Sequence, residues 1–232
     1  MGFHQPKNHT EPVVEGDLTI IMLTLNKPPK EWQEFHKKTL LEAIGDRPLI
    51  IVSKEPIDWN RPNTQYLYQE EPPIDSDSRL HNIYFQLRRA VDLVKIPYVA
   101  TVDDDCLYPA EHFNIFRPPL DKFSFNYGRW LINEWVRDVP FYYHAPTPDN
   151  PTFIGPTQKL QDSMRGTKFF GRRAIEYYKD FVPFYTVEPV LCFNHLRGLL
   201  GKHVISYKKP WPIRAYSILK WGLASEIIKK WQ

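Results

Sequence analysis

The chain has 232 residues, enough to bury a continuous core and carve a cleft into it. Hydrophobic residues make up 42% and charged residues 25%, as in an ordinary globular protein, and a net charge of +3 is too mild to mark a nucleic-acid binder. Two cysteines, Cys106 and Cys192, define no disulfide framework, and neither a signal-like leader nor 18 consecutive apolar residues occur, so a cytoplasmic protein without a membrane span is expected.

After a polar tail over residues 1–16, the first element is LTIIMLTL at 18–25. It is short, apolar and rich in β-branched residues, the pattern of a strand buried on both faces. Trp32, Phe35, Leu40, Leu41 and Ile44 then recur at helical spacing over 30–44, and Gly45 and Pro48 mark the stop. A second buried strand at 49–52 completes a βαβ unit, which requires a parallel sheet and a right-handed crossover. The connection over 58–75 carries a short strand at 65–68. Leu80, Ile83, Tyr84, Leu87, Val91 and Val94 form the stripe of an amphipathic helix, capped by Asp77 or Ser78. A third buried strand at 98–102 runs directly into Asp103-Asp104-Asp105.

Beyond the acidic run the pattern changes. Residues 122–131 and 139–144 read as mixed or antiparallel strands crowded with aromatics. Residues 145–166 read as a proline-rich loop, of a length that is often functional in compact domains. Helices are expected at 172–181 and 189–200, a strand at 203–207, and a last helix at 216–231. That last helix would carry Leu219, Leu223, Ile227 and Trp231 on one stripe, with Lys220, Lys229 and Lys230 beside it. Such a helix docks on the domain, lies on an anionic membrane surface or meets a partner.

In an extended strand alternate residues share a face, so Asp103 and Asp105 point one way and Asp104 the other. Carboxylates at the carboxyl end of a parallel strand lie where α/β sheets bind ligands. Crowded carboxylates repel unless a cation or hydrogen-bond donors compensate, and their hard oxygens suit Mn2+ or Mg2+, which also bind substrate phosphates. An ion bridging a diphosphate would offset charge developing on a leaving nucleotide. The plainer alternative is an acidic turn that caps the next helix, with Pro109 near its first turn.

The run RLHNIYFQLRRAVDLVKIPYVATVDDDCLYP resembles the middle of the GT-A-fold, nucleotide-sugar-dependent glycosyltransferases, especially the family-2-like ones. There a helix bearing Arg-x-x-Asn precedes a buried strand ending in Asp-x-Asp; the matching residues here are Arg79, Asn82, Asp103 and Asp105. The likeness spans 18–207, but only Arg79 to Asp105 is specific. It implies an α/β, GT-A-like fold with a Rossmann-type βαβ donor-binding half (17–108), a mixed sheet in the acceptor half (109–210) and a C-terminal helical appendage (211–232). It also implies that Asp105 binds Mn2+ or Mg2+ with Asp103 in support, and that Asp103 and Asp104 lie against the nucleotide sugar.

The resemblance extends to other residues. Thr24 and Asn26 end the first strand, where this fold holds the nucleobase, and Glu55 ends the second; the alternative is that all three satisfy loop backbone groups. Arg79 would reach the nucleotide or the acidic cluster, or else be a solvated helix-start arginine. Glu188 is the first candidate to take a proton from the acceptor hydroxyl and Asp162 the second. An acidic residue before Pro189 also favours a helix N-terminus with no catalysis involved. Arg165 and Gly166 resemble the segment lining the donor sugar, and His195 or His203 is the candidate third metal ligand, with a satisfied core histidine as the alternative.

The expected reaction transfers a sugar from a nucleotide-sugar donor, a UDP-sugar by preference, to an acceptor hydroxyl. That hydroxyl belongs to a glycan or lipid precursor, or to a hydroxymethylated pyrimidine in DNA. In the DNA case, aromatics of 127–143 and the C-terminal lysines would hold a flipped base and its phosphates. Two other readings use the same residues. One is a nucleotidyltransferase, against which the glycine-free TLNKPPKEW counts; the other is a non-catalytic nucleotide-sugar-binding module.

Overall fold

A computed structural model describes residues 12–71, 79–133, 139–165, 180–194 and 213–231. The first half follows the predicted order: β1 (Leu18–Thr24), α1 (Lys30–Ile44), β2 (Leu49–Ser53), β3 (Thr64–Tyr68), α2 (Arg79–Val91) and β4 (Tyr98–Asp103). Alternation along the strands assigns their faces. Leu18, Ile20 and Met22 of β1, with Tyr98, Ala100 and Val102 of β4, pack against Leu40 and Ile44 of α1. Ile21 and Val99 face the other way, onto Tyr84, Leu87 and Val91 of α2. Helix α1 stops at Gly45, whose φ of 57° is the left-handed backbone that glycine adopts without a Cβ clash.

The second half contains β5 (Cys106–Leu107), α3 (Ala110–Asn114), β6 (Phe123–Asn126), β7 (Arg129–Asn133), β8 (Tyr142–His144), a 3-10 turn (Asn150–Thr152), β9 (Phe153–Pro156) and α4 (Thr157–Arg165). Then come β10 (Phe181–Phe184), β11 (Val190–Asn194), β12 (Arg214–Ala215), β13 (Ser217–Ile218), β14 (Gly222–Leu223) and α5 (Ala224–Lys229). The main sheet has seven strands in the order β10-β6-β9-β4-β1-β2-β3. Strands β1 to β4 are mutually parallel, and β9 runs antiparallel between β4 and β6. A second sheet of five strands, β12-β8-β7-β11-β5, lies beyond the acidic run. The chain therefore has the expected α/β class, with a βαβ half and a mixed-sheet half.

Several expected elements change. The helix expected over 189–200 is strand β11 where it is described, because Val190, Leu191, Cys192 and Phe193 are all buried between β7 and β5. A continuous apolar run of that length fits a central strand as well as a buried helix, and the neighbouring strands decide. The strand expected over 122–131 breaks at Tyr127-Gly128 into β6 and β7, which join different sheets. The loop expected over 145–166 holds the 3-10 turn, β9 and α4, whose Thr157, Leu160 and Met164 are buried at helical spacing.

The last helix is only α5. Gly222, at φ 78°, turns the preceding residues into a hairpin, so Leu219 is fully exposed at its tip while Ile227 and Trp231 are buried. The helix expected at 172–181 and the strand at 203–207 fall mainly outside the described residues. Among the described residues, no helix is long and apolar enough to cross a membrane.

Candidate active site

The parallel register sets Leu23 of β1 beside Asp103 of β4, so Thr24 and the acidic turn leave the sheet at the same edge. The backbone of the turn is held from α1, from β11 and from the segment after β5. Asp103 N–H donates to the hydroxyl of buried Tyr108 at 2.9 Å. Trp32 Nε1 donates to Asp104 O at 2.8 Å, and Phe193 N–H of β11 donates to Asp105 O at 2.8 Å. Trp32 and His36 are one helical turn apart on the buried side of α1, which is why both reach the same turn.

The carboxylates are thereby held together at the edge of the sheet. Thr24 Oγ1 donates to Asp104, and the Cys106 thiol donates to Asp105 Oδ1 at 3.3 Å. Asp103 is held well above the usual carboxylate range, first by burial and then by the charges of Asp105, Asp149 and Asp104. Burial likewise pushes the Cys106 thiol up, with Cys192 directly opposite it in the β5–β11 pair. His36 is pushed down to about 4 by burial, against the pull of Asp105. The nearby buried cation is Arg129, whose guanidinium pairs with Asp149 and also donates to Thr147 Oγ1 at 2.8 Å and Ala145 O at 3.2 Å.

Among the described residues, no three His, Cys, Asp or Glu side chains are grouped closely enough to cage a metal. Asp103, Asp104 and Asp105 do not themselves form such a group. A Mg2+ or Mn2+ ion held by one or two of these carboxylates would need waters and phosphate oxygens as its further ligands. A cleft of about 180 Å³ opens on the α1 side of the turn, between Met22, Thr24, His36, Lys37, Trp59 and Asp104.

The other expected residues divide into two groups. Thr24, Asn26 and Glu55 do meet: Asn26 N–H donates to Thr24 Oγ1 at 2.9 Å, and Glu55 N–H donates to Asn26 Oδ1 at 2.9 Å. The Thr24 and Asn26 side chains therefore brace the loop after β1, while Glu55 takes part there through its backbone. Arg79 opens α2, and Asn82 lies one turn further on, its Oδ1 accepting from Gln86 at 2.9 Å. Gly166, His195 and His203 lie outside the described residues.

Glu188, Asp162 and Arg165 make contacts of their own. Glu188 precedes strand β11, not a helix. Its carboxylate pairs with Lys220 at 3.3 Å, and its N–H donates to Glu111. Because β9 is antiparallel to β4, Pro156 lies beside Tyr98 and α4 starts at the opposite end of the sheet. There Asp162 accepts from Gln158 and pairs with Arg165, beside an open groove near Val94–Pro97. The aromatic segment 127–143 is also largely spent, since Phe141, Tyr142 and Tyr143 are buried and only Tyr127 and Trp130 keep partial exposure among its described aromatics.

Sequence reasoning missed Trp32, His36, Tyr108, Arg129 and Asp149. The Trp32–His36 spacing was visible on α1, but the acceptor of Trp32, Asp104 O, lies 72 residues away in the turn after β4.

No protein-family profile and no curated protein matches the chain. Solved structures similar to it include a protein described as a nucleotide-diphospho-sugar transferase from Desulfovibrio desulfuricans G20, at 12% identity and TM-score 0.41 over 78% of this chain and 81% of that one. Residues 1–349 of S. aureus TarS match at 14% identity and TM-score 0.44, over 76% of this chain and 60% of that one. The bifunctional IspDF of Campylobacter jejuni matches at 11% and 0.37, over 73% and 49%. Likenesses this distant carry no functional weight.

Proposed function

We propose that the chain is a GT-A-like, metal-dependent glycosyltransferase that holds a nucleotide-sugar donor at Asp103-Asp104-Asp105. The observation that supports this reading is the acidic turn itself. Its backbone is fastened from three elements at the carboxyl end of a parallel strand, while its side chains crowd negative charge together. An arrangement that raises Asp103 so far invites a cation in place of a proton. The resemblance of Arg79 to Asp105 to the family-2-like enzymes agrees with it.

In this reading Asp105 and Asp103 hold Mn2+ or Mg2+, which when bound offsets the charge on the departing nucleoside diphosphate. Tyr108, Trp32 and Phe193 keep the turn's backbone from following its carboxylates, so the site is set before the donor arrives. Thr24 holds Asp104 against the end of β1, beside the nucleotide. The donor is a UDP-sugar and the acceptor a hydroxyl on a glycan or lipid precursor. The hydroxymethylated-DNA acceptor fits less well, because most of the aromatics that would grip a flipped base are buried. Glu188 is the first candidate to take a proton from the acceptor hydroxyl and Asp162 the second, although α4, which carries Asp162, starts at the opposite end of the sheet.

The test is donor hydrolysis by the full chain across nucleotide sugars, with and without Mn2+. Asp105→Ala is expected to abolish the Mn2+-stimulated part while circular dichroism stays native. Undiminished Mn2+-dependent turnover in a folded Asp105→Ala protein sinks the assignment.

A further inference from the structure

Trp32 is fully buried and has two kinds of neighbour. Its indole N–H donates to Asp104 O at 2.8 Å. Its ring lies edge-on to Trp231 at 4.9 Å and to Phe193 at 5.2 Å, and Phe193 and Trp231 stack on each other at 4.3 Å and 12°. The backbone N–H of that same Phe193 donates to Asp105 O. Two successive carbonyls of the acidic turn thus accept from two residues whose rings are both seated on Trp231. Ile227 and Ile228 of α5 and Trp221 complete this cluster.

We propose that Trp32 is a positioning residue for the acidic turn, and that the segment around α5, through Trp231, sets where Trp32 and Phe193 sit and hence where Asp104 and Asp105 are held. The physical argument is geometric. An indole N–H has one donor direction, so a tilt of the ring plane moves or breaks the bond to Asp104 O. Phe193 offers its backbone, so only its displacement along β11 matters. Trp231 touches both rings and limits both movements, because edge-to-face and offset-stacked contacts lose energy when either ring slides. Trp221 serves as an internal comparison. It belongs to the same buried cluster and its indole N–H donates to Pro189 O at 2.8 Å, away from the turn.

This inference concerns the site of the proposed metal and donor, but part of its test needs neither. Amide hydrogen exchange of the full chain is measured on the peptide spanning the acidic turn, for wild type, Trp32→Phe, Trp231→Ala and Trp221→Phe. Trp32→Phe keeps a buried aromatic ring but deletes the donor along with one ring of the indole, and Trp221→Phe makes the same change of size in the same cluster. Losing one buried hydrogen bond corresponds to about a tenfold change in a local opening equilibrium. Exchange in the turn is therefore expected to quicken about tenfold in Trp32→Phe and Trp231→Ala, with β2 unchanged. Trp221→Phe is expected to lower the thermal midpoint and leave the turn's exchange alone.

With MnCl2 as the probe, Trp32→Phe and Trp231→Ala should weaken Mn2+ binding about tenfold, and the metal needed for half-maximal turnover should rise more than kcat falls. Unchanged exchange in Trp32→Phe, or an equal shift in Trp221→Phe, overturns the inference. A wild-type protein that binds no Mn2+ overturns the functional reading instead and leaves the exchange result to decide this one.

Discussion

Strands β1 and β4 carry charge at both of their ends, and the two ends are built on opposite rules. At the start of β1, Asp17 is buried and both of its carboxylate oxygens accept from fully buried Arg117, at 2.9 and 2.7 Å. The remaining Arg117 donor is shared between Phe113 O and Phe116 O, while Asp17 O accepts from Tyr98 N–H at the start of β4. Charge there is matched group by group, and the loop before β6 is pinned to the sheet as a result. At the far end, burial and then the charges of Asp105, Asp149 and Asp104 hold Asp103 well above the usual carboxylate range, and Arg129 pairs with Asp149. Burial alone therefore does not decide how a charge is treated. Asp17 meets Arg117 group by group, whereas buried Asp103 lies beside other carboxylates.

Breaking the closed end should cost the most. Arg117→Met leaves Asp17 buried without its partner, and a loss of about 3–5 kcal/mol in denaturant unfolding is expected. The open end should answer with the opposite sign. In metal-free buffer Asp103→Asn relieves repulsion, so its unfolding midpoint is expected to match or exceed wild type. Added Mn2+ should raise the thermal midpoint of wild type and not of Asp103→Asn. A wild-type-sized Mn2+ shift in Asp103→Asn would erase the contrast between the ends.

A third measurement concerns His112, buried beside the closed end, where burial and then Arg117 push it down to about 3. Below its ordinary 6.5 the unfolded chain takes up a proton that the folded one refuses. Stability is thus full above pH 6.5 and is lost as pH falls toward 3, by up to about 1.4 kcal/mol per pH unit. His112→Gln should flatten that slope; an identical slope would show that other groups carry it. The smallest effect is expected for Tyr108→Phe, which removes the acceptor of Asp103 N–H and should cost about 1 kcal/mol.

The βαβ half was legible because its strands are uniformly apolar and its helices carry clean stripes, so local pattern and burial agree. The acidic run at the end of β4 was legible for the same reason: Tyr98 to Val102 can only be an interior strand. Two things misled the reading beyond Asp105. VLCFN is apolar at nearly every position, and neither helical nor strand spacing shows in such a run until β7 and β5 flank it. Leu219, Leu223, Ile227 and Trp231 keep perfect fourfold spacing, yet Gly222 interrupts the helix and only the last two are buried. Arg129 and Asp149 could not be paired from sequence, since their contact depends on how β7 and the 3-10 turn approach each other.

The hydrogen bond from Phe193 to Asp105 and the ring contact of Trp231 with Trp32 also bear on the order of folding. Strands β1, β2 and β4 and their helices can find one another through short loop closures, early and from a partly synthesised chain. The turn at their edge is different: one fastening comes from Phe193 of β11, and Trp231, just past α5, packs on Trp32, which holds another. Those contacts close very long loops, so they form late in refolding or synthesis. A nascent chain holding the entire βαβ half would carry all three aspartates and still lack the Phe193 bond to Asp105 O and the ring of Trp231 against Trp32.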